Sequence, residues 1–279
     1  MNTMYNQLSR KSSKIVTQFY STSFSIAVSF FDKATRDAIY SIYGFVRFAD
    51  EIVDTFDGYD QKYLLEKFES DYYEAYTMGI SLNPILHSFQ QTVKHYQIPN
   101  HLVQAFLVSM KADLNKKNYT NRDEIDQYIY GSAEVVGLMC LRVFTNKDEV
   151  FYNELEKPAM KLGAAFQKVN FLRDLKEDVQ MLDRQYFPEF YSNTFDDKIK
   201  AIIIKDIEID FASSYKGIKK LPNNAKLAVL IAFYYYMRLL NKIKETPANQ
   251  LLESRIRVSD TKKMFLLAKA VIACKLRLV

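Results

Sequence analysis

Residues 38–56, AIYSIYGFVRFADEIVDTF, form the stretch that decides the fold. Placed on a helix at about 100° per residue, the segment is apolar on almost every side. One polar stripe interrupts the apolar surface, and it consists of Tyr43, Arg47, Asp50 and Asp54. A helix that is apolar all round is a buried helix, and buried charges without partners are strongly unfavourable. The stripe is therefore predicted to line a polar cavity inside the protein, where a counter-charge offsets its carboxylates.

A second segment, residues 158–181, repeats this pattern with the sequence PAMKLGAAFQKVNFLRDLKEDVQM. Proline suits the first turn of a helix, so this helix is predicted to begin at Pro158. Its polar stripe consists of Gln167, Asn170, Asp174 and Asp178. Each of the two helices thus carries a pair of aspartates one turn apart on an otherwise apolar surface.

The two aspartate pairs together predict a metal and diphosphate site. A single i,i+4 pair arises easily by chance, as at Asp206 and Asp210, so the argument depends on both stripes. Their ligands would be hard oxygens, which suit Mg²⁺ or Mn²⁺, and Mg²⁺ is usually held by one or two carboxylates plus substrate phosphates. Arg47 and Arg173 would bind further phosphate oxygens bidentately. The surrounding apolar side chains would receive a long hydrocarbon tail.

The length and composition predict a largely helical protein with a sizeable core, in one large domain or two small ones. The chain is 48% hydrophobic and has only 7 Gly and 6 Pro, which favours long helices over many strands and turns. Residues 1–14 are polar and are predicted to form a loose N-terminal arm or a frayed helix. No apolar run reaches the roughly 18 residues of a membrane span, and no signal segment is expected. Two cysteines make neither a disulfide framework nor a metal site, which favours a reducing compartment.

The charge is distributed unevenly along the chain. Residues 216–279 contain 14 Lys and Arg against 3 Asp and Glu, whereas the whole chain has a net charge of only +5. A basic region of this kind can meet anionic substrates, anionic lipids or nucleic acid. No nucleic-acid-binding module accompanies it, so nucleic acid is not expected as a partner.

Four segments, taken in order, resemble the motifs of the squalene and phytoene synthase family. DEIVD at 50–54 resembles the first DxxxD motif, and NFLRDLKED at 170–178 resembles the second, NxxRDxxED. RQYFP at 184–188 and RIRVS at 255–259 are similar to the RxYxP and RxRVS segments of the family. The resemblance covers about residues 21–263, and the motifs together are far more specific than any one alone.

The resemblance implies a single domain over residues 1–279 with an all-α fold of the isoprenoid-synthase type, a helical bundle around a central cavity. It implies Mg²⁺ ligands at Asp50, Asp54, Asn170, Asp174 and Asp178. It implies diphosphate contacts at Ser21, Arg47, Gln167, Asn170, Arg173, Tyr186 and Arg255. The residues that it implies should line the tail pocket or face the reacting cation are Phe24, Tyr43, Tyr130 and Tyr236. The implied catalytic set is Asp50, Asp54, Asp174, Asp178, Tyr43 and Tyr130.

Two positions depart from the family pattern. Glu134 stands where the family has a glycine in its YxYxxAGxxG stretch, and Tyr20 stands where a histidine precedes the SxSF hydroxyls. Both positions bear on the alignment of the predicted tail pocket. The Mg²⁺ motifs are not affected by either change.

The family resemblance implies head-to-head coupling of two prenyl diphosphates. The preferred reaction is Mg²⁺-dependent, NADPH-independent formation of phytoene from two geranylgeranyl diphosphates through a cyclopropylcarbinyl diphosphate, the first step of carotenoid biosynthesis. RQYFP and RIRVS are most similar to bacterial phytoene synthases, and no C-terminal anchor of the eukaryotic squalene synthase type is expected. An alternative is dehydrosqualene or squalene from two farnesyl diphosphates.

Two further alternatives belong to other classes of protein. A terpene cyclase would act on one diphosphate, but the RxYxP and RxRVS segments argue against it. A non-catalytic scaffold relative would be expected to lack an acid, whereas all four acids are present. Because the expected product is apolar, the protein is predicted to be cytoplasmic with peripheral membrane contact through its basic C-terminal quarter.

Overall fold

The structure is a computed structural model that describes residues 3–180, 183–191 and 194–276. Within these ranges it consists of α-helices and one π-helix, and an isolated bridge between Asn118 and Gln185 is the only β-type pairing. The predicted all-α fold is therefore confirmed. None of the described helices is long and apolar enough to cross a membrane.

The helices follow one another in chain order with short connections. The first half contains α1 (Thr3–Tyr20), α2 (Thr22–Val28), α3 (Lys33–Thr55), α4 (Gln61–Met78), α5 (Pro84–Tyr96), α6 (Asn100–Asp113), α7 (Arg122–Ile129), a π-helix (Tyr130–Glu134) and α8 (Val135–Thr145). The second half contains α9 (Glu149–Arg173), α10 (Leu175–Gln180), α11 (Pro188–Tyr191), α12 (Asp197–Ile218), α13 (Asn223–Glu245), α14 (Ala248–Leu251) and α15 (Asp260–Lys275).

Helix α3 is the buried helix that the sequence predicts. The Asp32 carboxylate caps its first turn by accepting hydrogen bonds from the backbone N–H groups of Ala34 and Thr35, at 2.9 and 3.0 Å. Phe45, at its middle, is fully buried and stacks on Phe89 of α5 with ring centroids 3.9 Å apart. Helices α1, α4, α5, α6 and α8 all pack on α3, which leaves its polar stripe facing the one remaining side.

The predicted loose arm over residues 1–14 is wrong from Thr3 onward, because α1 is a continuous helix packed on α3 and α5. Ser9, Ser13 and Thr17 form its buried face, and the Ser13 hydroxyl lies 2.7 Å from the Ser88 hydroxyl of α5. A small polar face of this kind is invisible to a search for apolar periodicity. Residues 1 and 2 lie outside the described ranges.

The helix that carries the second polar stripe also differs from its prediction at both ends. Helix α9 begins at Glu149, where the Asp148 carboxylate accepts a hydrogen bond from the Phe151 N–H at 3.0 Å. It continues through Pro158 because the preceding turns are held in the core by buried Tyr152 and Leu155. It ends at Arg173, and Asp174 is the residue that terminates it before α10 begins.

A buried ionic cluster joins α9 to α12 and accounts for the third aspartate pair. Lys168 of α9 donates hydrogen bonds to Asp206 at 2.6 Å and to Asp210 at 2.7 Å. Lys168 and Asp210 are almost fully buried, and Lys161 approaches Asp210 at 3.1 Å from the solvent side. This pair of aspartates therefore holds two helices together and does not face the central cavity.

Candidate active site

One large cavity of about 1270 Å³ lies at the centre of the bundle. Its wall is formed by helices α1, α2, α3, α6, α7, α8, α9, α10, α12 and α13, the π-helix, and residues from the segments 184–186 and 255–263. The predicted site residues that line it are Ser21, Phe24, Tyr43, Arg47, Asp50, Asp54, Gln167, Asn170, Arg173, Asp174, Asp178, Tyr186, Tyr236 and Arg255. The structure thus brings together residues that lie more than 200 positions apart in the sequence.

Tyr130 is the predicted site residue that does not line this cavity. It is half-buried and packs against the hydrophobic core, whereas Tyr128 reaches the cavity wall. Two residues apart on a helix point to different faces, so both tyrosines cannot face the same space. Tyr128, Ser132, Val136 and Cys140 form the lining face, each four residues from the next.

The two aspartate pairs lie in the cavity wall, where burial disfavours the charge of one member of each pair. Burial, reinforced by the charge of Asp54, raises the pKa of Asp50 to about 7. Burial, reinforced by Asp174, raises the pKa of Asp178 to about 7. Both carboxylates would regain full charge beside a cation. This oxygen-only donor set fits a hard divalent ion such as Mg²⁺.

The acids do not form a complete protein cage for that ion. Within the described ranges, no group of three or more His, Cys, Asp or Glu side chains is arranged to hold a metal ion by itself. The remaining ligands would have to be substrate phosphate and water, which is how Mg²⁺ is commonly bound. The residues that could supply its protein ligands are Asp50, Asp54, Asn170, Asp174 and Asp178.

Arginines already neutralise part of the acidic cluster. Asp174 receives a bidentate contact from Arg173, at 2.8 Å from Nε and 2.5 Å from Nη2. Arg255 reaches the same carboxylate, with 2.9 Å between its Nε and Asp174 Oδ1, and also contacts Glu177 at 3.2 Å. Guanidinium groups in this position can exchange a carboxylate for a phosphate oxygen, because the two present similar geometry.

Arg47 lies beside the first aspartate pair. Its guanidinium forms a close ion pair with Glu51, lies 4.0 Å from the Asp50 carboxylate and stacks under the ring of Tyr20, 4.3 Å from its centroid. Tyr20, which replaces the family histidine, therefore contacts the predicted diphosphate-binding arginine directly. Ser21, the next residue, caps α2 by accepting a hydrogen bond from the Phe24 N–H at 3.3 Å.

Arg184 and Asp113 are site residues that the sequence analysis did not assign. Arg184 is buried and donates hydrogen bonds to Asp54 Oδ1 at 2.8 Å and to the Asp113 carbonyl at 3.3 Å. The Asp113 carboxylate accepts a hydrogen bond from the Tyr128 hydroxyl at 2.9 Å, and its second oxygen is buried without a partner. Arg184 is the first residue of the RQYFP segment, so the sequence motif could have identified it. Asp113 lies in none of the four family-like segments, so no motif could have identified it.

Burial controls the charge state of Asp113. It raises the pKa of that carboxyl to about 8, although the nearby Arg184 guanidinium acts in the opposite direction. Asp113 is therefore a protonated acid over much of the neutral range. A protonated carboxyl beside the acidic cluster adds a hydrogen-bond donor without adding another negative charge.

Aromatic rings cover the wall beside the acids. Tyr43 stacks on Phe24 with centroids 5.0 Å apart, and Tyr236 stacks on Phe166 at 3.9 Å. The Tyr236 hydroxyl donates a hydrogen bond to Asn170 Oδ1 at 3.2 Å, which joins the aromatic wall to the second acidic motif. Burial raises the pKa of Tyr43 to about 12, so its ring is that of a neutral phenol.

The remainder of the cavity wall is apolar. Its lining includes Phe31, Leu141, Phe144, Leu155, Leu162 and Leu221. Burial raises the pKa of the Cys140 thiol to about 12, so this side chain also contributes as a neutral group. The cavity therefore combines one acidic and cationic end with a long apolar region.

Glu134 does not intrude on this apolar region. It is absent from the lining, although its neighbours Ala133 and Ser132 belong to it. Burial raises the pKa of Glu134, and Lys161 and Lys168 oppose that rise by their positive charge. The residue that replaces the family glycine is therefore associated with the ionic cluster between α9 and α12.

Comparisons with known proteins agree with this fold. The squalene/phytoene synthase family profile matches residues 17–196. The chloroplast phytoene synthase 1 of Solanum lycopersicum is 25% identical over 269 residues, covering 89% of this chain and 64% of that protein. The phytoene synthase of Arthrospira platensis is 24% identical over 282 residues, covering 91% of this chain and 90% of that protein. The chain thus spans just under two thirds of the tomato relative.

A solved structure shares the complete architecture. A dehydrosqualene synthase crystallised with a ligand superposes with a TM-score of 0.85 at 23% identity, over 98% of this chain and 99% of that chain. At this identity the similarity demonstrates the fold. It places the central cavity described above within a known helical architecture.

Proposed function

We propose that this chain, which belongs to the squalene/phytoene synthase family, joins two prenyl diphosphates head to head. The preferred reaction is the condensation of two geranylgeranyl diphosphates to phytoene, with Mg²⁺ as the cofactor and without NADPH. The observation that supports it is one cavity with two aspartate pairs and several arginines at one end and an apolar wall beyond them. Such a cavity suits a ligand with a diphosphate head and a long hydrocarbon tail.

The cationic side chains would hold the diphosphate groups. Arg173 and Arg255 both contact Asp174, and Arg47 lies beside Asp50, so all three are already placed around the acidic cluster. When bound to the aspartates, Mg²⁺ would stabilise the negative charge that develops on each departing diphosphate. Ser21, Gln167 and the Asn170 amide would supply neutral hydrogen-bonding groups to the same phosphates.

The chemistry requires two ionisations at this end of the cavity. The first diphosphate leaves with its bonding electron pair, and the allylic cation is attacked by the 2,3 double bond of the second substrate. Loss of a proton then gives a cyclopropylcarbinyl diphosphate. The second diphosphate leaves in the same way, and rearrangement with loss of another proton gives a linear polyene. Released diphosphate is our candidate for the base.

The aromatic wall would protect and stabilise the cationic intermediates. Tyr43 and Tyr236, each stacked on a phenylalanine, present rings to the cavity next to the acids. A desolvated aromatic face can stabilise a cation by about 2 kcal/mol. The apolar lining excludes water, which would otherwise trap the cation as an alcohol.

The length of the prenyl chain is the point on which two candidate reactions differ. The relatives from tomato and Arthrospira are named phytoene synthases, and these names support two C20 substrates. The solved structure with a TM-score of 0.85 is named a dehydrosqualene synthase, which supports two C15 substrates as the alternative. We prefer phytoene because RQYFP and RIRVS are most similar to the segments of bacterial phytoene synthases, and because the sequence relatives carry that name.

A product assay tests the proposal directly. Purified protein is incubated with Mg²⁺ and either geranylgeranyl or farnesyl diphosphate, with and without NADPH, and the extract is analysed by mass spectrometry. We expect a C40 polyene from the C20 substrate that does not require NADPH. A C30 product would establish the alternative, and the absence of any head-to-head product from folded protein would refute both.

Two variants connect that assay to the site. Asp50→Asn should reduce turnover by at least a hundredfold, since it removes charge from the predicted Mg²⁺ site. Asp57→Asn, which alters an exposed carboxylate just beyond α3, is the matched control and should retain turnover. Equal activity of the Asp50 variant and the wild type would remove this cavity from the mechanism.

A further inference from the structure

The cavity opens to solvent between the end of α1 and the beginning of α15. Its lining residues that are exposed mark this mouth, and they are Phe19, Tyr20, Thr22, Arg255, Arg257, Ser259 and Lys262. Phe19 is 82% exposed, although it is a large apolar side chain. A phenylalanine held in water at the entrance to an apolar cavity indicates that the entrance is covered by something apolar.

Helix α1 has its small residues inside and its large apolar residues outside. Its buried face consists of Ser9, Ser13 and Thr17. Its exposed residues include Met4, Leu8, Ile15 and Phe19, which follow one another at helical spacings of four, seven and four. Burial against the protein therefore does not explain these side chains. The stripe runs along the helix towards the mouth.

Helix α15 has the same inverted arrangement on the other side of the mouth. It packs on α13 and buries the small residues Ala270 and Ala273. Its large apolar residues Met264, Phe265 and Ile272 are exposed, and Phe265 is 72% exposed. Two helices that flank one opening thus both direct apolar side chains to solvent.

The charge around the opening indicates the chemistry of what covers it. Arg257 and Lys262 are exposed at the mouth, and neither forms an ion pair with another described residue. They belong to residues 216–279, a region that contains 14 basic and 3 acidic residues. Cations around exposed apolar side chains match the layered chemistry of an anionic membrane surface, in which headgroups lie above hydrocarbon.

We propose that the outer faces of α1 and α15 dock the mouth of the cavity onto an anionic lipid bilayer. Phe19, Phe265 and Ile272 enter the hydrocarbon boundary, while Arg257 and Lys262 contact the lipid headgroups. The cavity then opens towards the membrane, so that a hydrocarbon ligand can enter or leave without crossing water. This inference does not depend on the proposed reaction, because its test measures binding and not turnover.

The absence of tryptophan from the chain makes a direct test available. Phe265→Trp introduces a single reporter on the docking face, and Val150→Trp places one at a matched position, since Val150 is 81% exposed and does not line the cavity. On addition of vesicles of phosphatidylcholine and phosphatidylglycerol, emission from the Phe265 variant should shift to the blue and be quenched by brominated lipid. Emission from the Val150 variant should not change.

Flotation with the same vesicles measures the contributions of each part. Phe265→Ser and Ile15→Ser should each reduce partitioning by roughly tenfold, while Val150→Ser should leave it unchanged. Neutralising Arg257 or Lys262 with glutamine should reduce partitioning by about fivefold each, on anionic vesicles only. Circular dichroism confirms that each variant is folded.

Three outcomes would overturn the proposal. One is equal flotation on neutral and anionic vesicles, and another is no flotation on either. The third is a concentration-dependent dimer in analytical ultracentrifugation that Phe265→Ser abolishes, because a second copy of the chain would then cover this surface.

Discussion

Arg184 donates a hydrogen bond from Nη1 to Oδ1 of Asp54 at 2.8 Å, across 130 residues of sequence. The contact joins the first acidic motif to the RQYFP segment that follows the second. Arg184 also donates to the backbone carbonyls of Val53 and Asp113, at 3.5 and 3.3 Å. One buried guanidinium therefore fixes α3 and α6 relative to the RQYFP segment.

Replacement of Arg184 should destabilise the fold and weaken the site. Arg184→Gln leaves two buried carbonyls and one carboxylate without their donor, and each lost partner costs roughly 1 kcal/mol or more. Because Asp54 is partly exposed, we expect a total loss of about 2 kcal/mol in the free energy of unfolding, measured by urea denaturation. Arg10→Gln, at an exposed position of α1, is the control. Equal stability of the two variants would contradict this role.

Asp113 should make stability depend on pH. Its folded pKa of about 8 lies above the usual value of 3.8, so the folded state binds more protons than the unfolded state between these values. Its contribution to stability is therefore present at low pH and is lost as the pH rises towards 8. Wild type should lose about 3–4 kcal/mol relative to Asp113→Asn between pH 5 and pH 8, since each pH unit in this range removes up to about 1.4 kcal/mol.

Urea denaturation of both proteins across that range checks this difference. The asparagine variant keeps the shape of the side chain but does not titrate, so other groups cancel in the comparison. A difference between the two proteins that is constant with pH would show that Asp113 is ionised in the folded state.

The ionic cluster between α9 and α12 offers a matched pair of lysines. Lys168 and Lys161 both contact Asp210, but Lys168 is buried and Lys161 is 47% exposed. Lys168→Met leaves a buried carboxylate without its main partner and should cost about 3–5 kcal/mol of stability. Lys161→Met should cost less than about 1 kcal/mol. Thermal denaturation of the two variants distinguishes them, and similar losses would mean that the cluster is solvated.

Helical periodicity predicted the acidic part of the site because the period of a helix fixes which side chains share a face. Asp50 and Asp54 could be placed together on one apolar helix from residues 38–56 alone, and the cavity follows from their charge. Arg47 and Tyr43 belong to the same stripe, and the structure places them in the same wall. These inferences needed only local sequence and the unfavourable energy of buried charge.

Features that depend on contacts between distant segments were not predictable in this way. Asp113 belongs to the site because it contacts Arg184 and Tyr128, and no local sequence pattern predicts those contacts. The helix before Pro158 is held by core packing that overrides the usual effect of proline. Asp206 and Asp210 have the same spacing as the cavity aspartates, yet their partner is a buried lysine.

Tyr128 and Tyr130, in the segment YIYG at 128–131, are the subject of the last prediction. The family resemblance and the structure assign different members of this pair to the site. The resemblance implies Tyr130, whereas Tyr128 lines the cavity and donates a hydrogen bond to Asp113. Tyr128→Phe removes that hydrogen bond and should lower kcat by about tenfold, since one lost hydrogen bond is worth about 1–1.5 kcal/mol. Tyr130→Phe should change kcat less than twofold.

The two variants differ from wild type by one oxygen atom each, so packing is preserved and each serves as the control for the other. Steady-state kinetics with the preferred prenyl diphosphate gives kcat and KM for both. A loss confined to Tyr130→Phe would mean that the segment turns on substrate binding so that Tyr130 reaches the cavity. The segment also contains the π-helix at Tyr130–Glu134, and π-helical turns are frequent at functional sites. A loss confined to Tyr128→Phe would therefore show that the π-helical register seen here is the one that acts in catalysis.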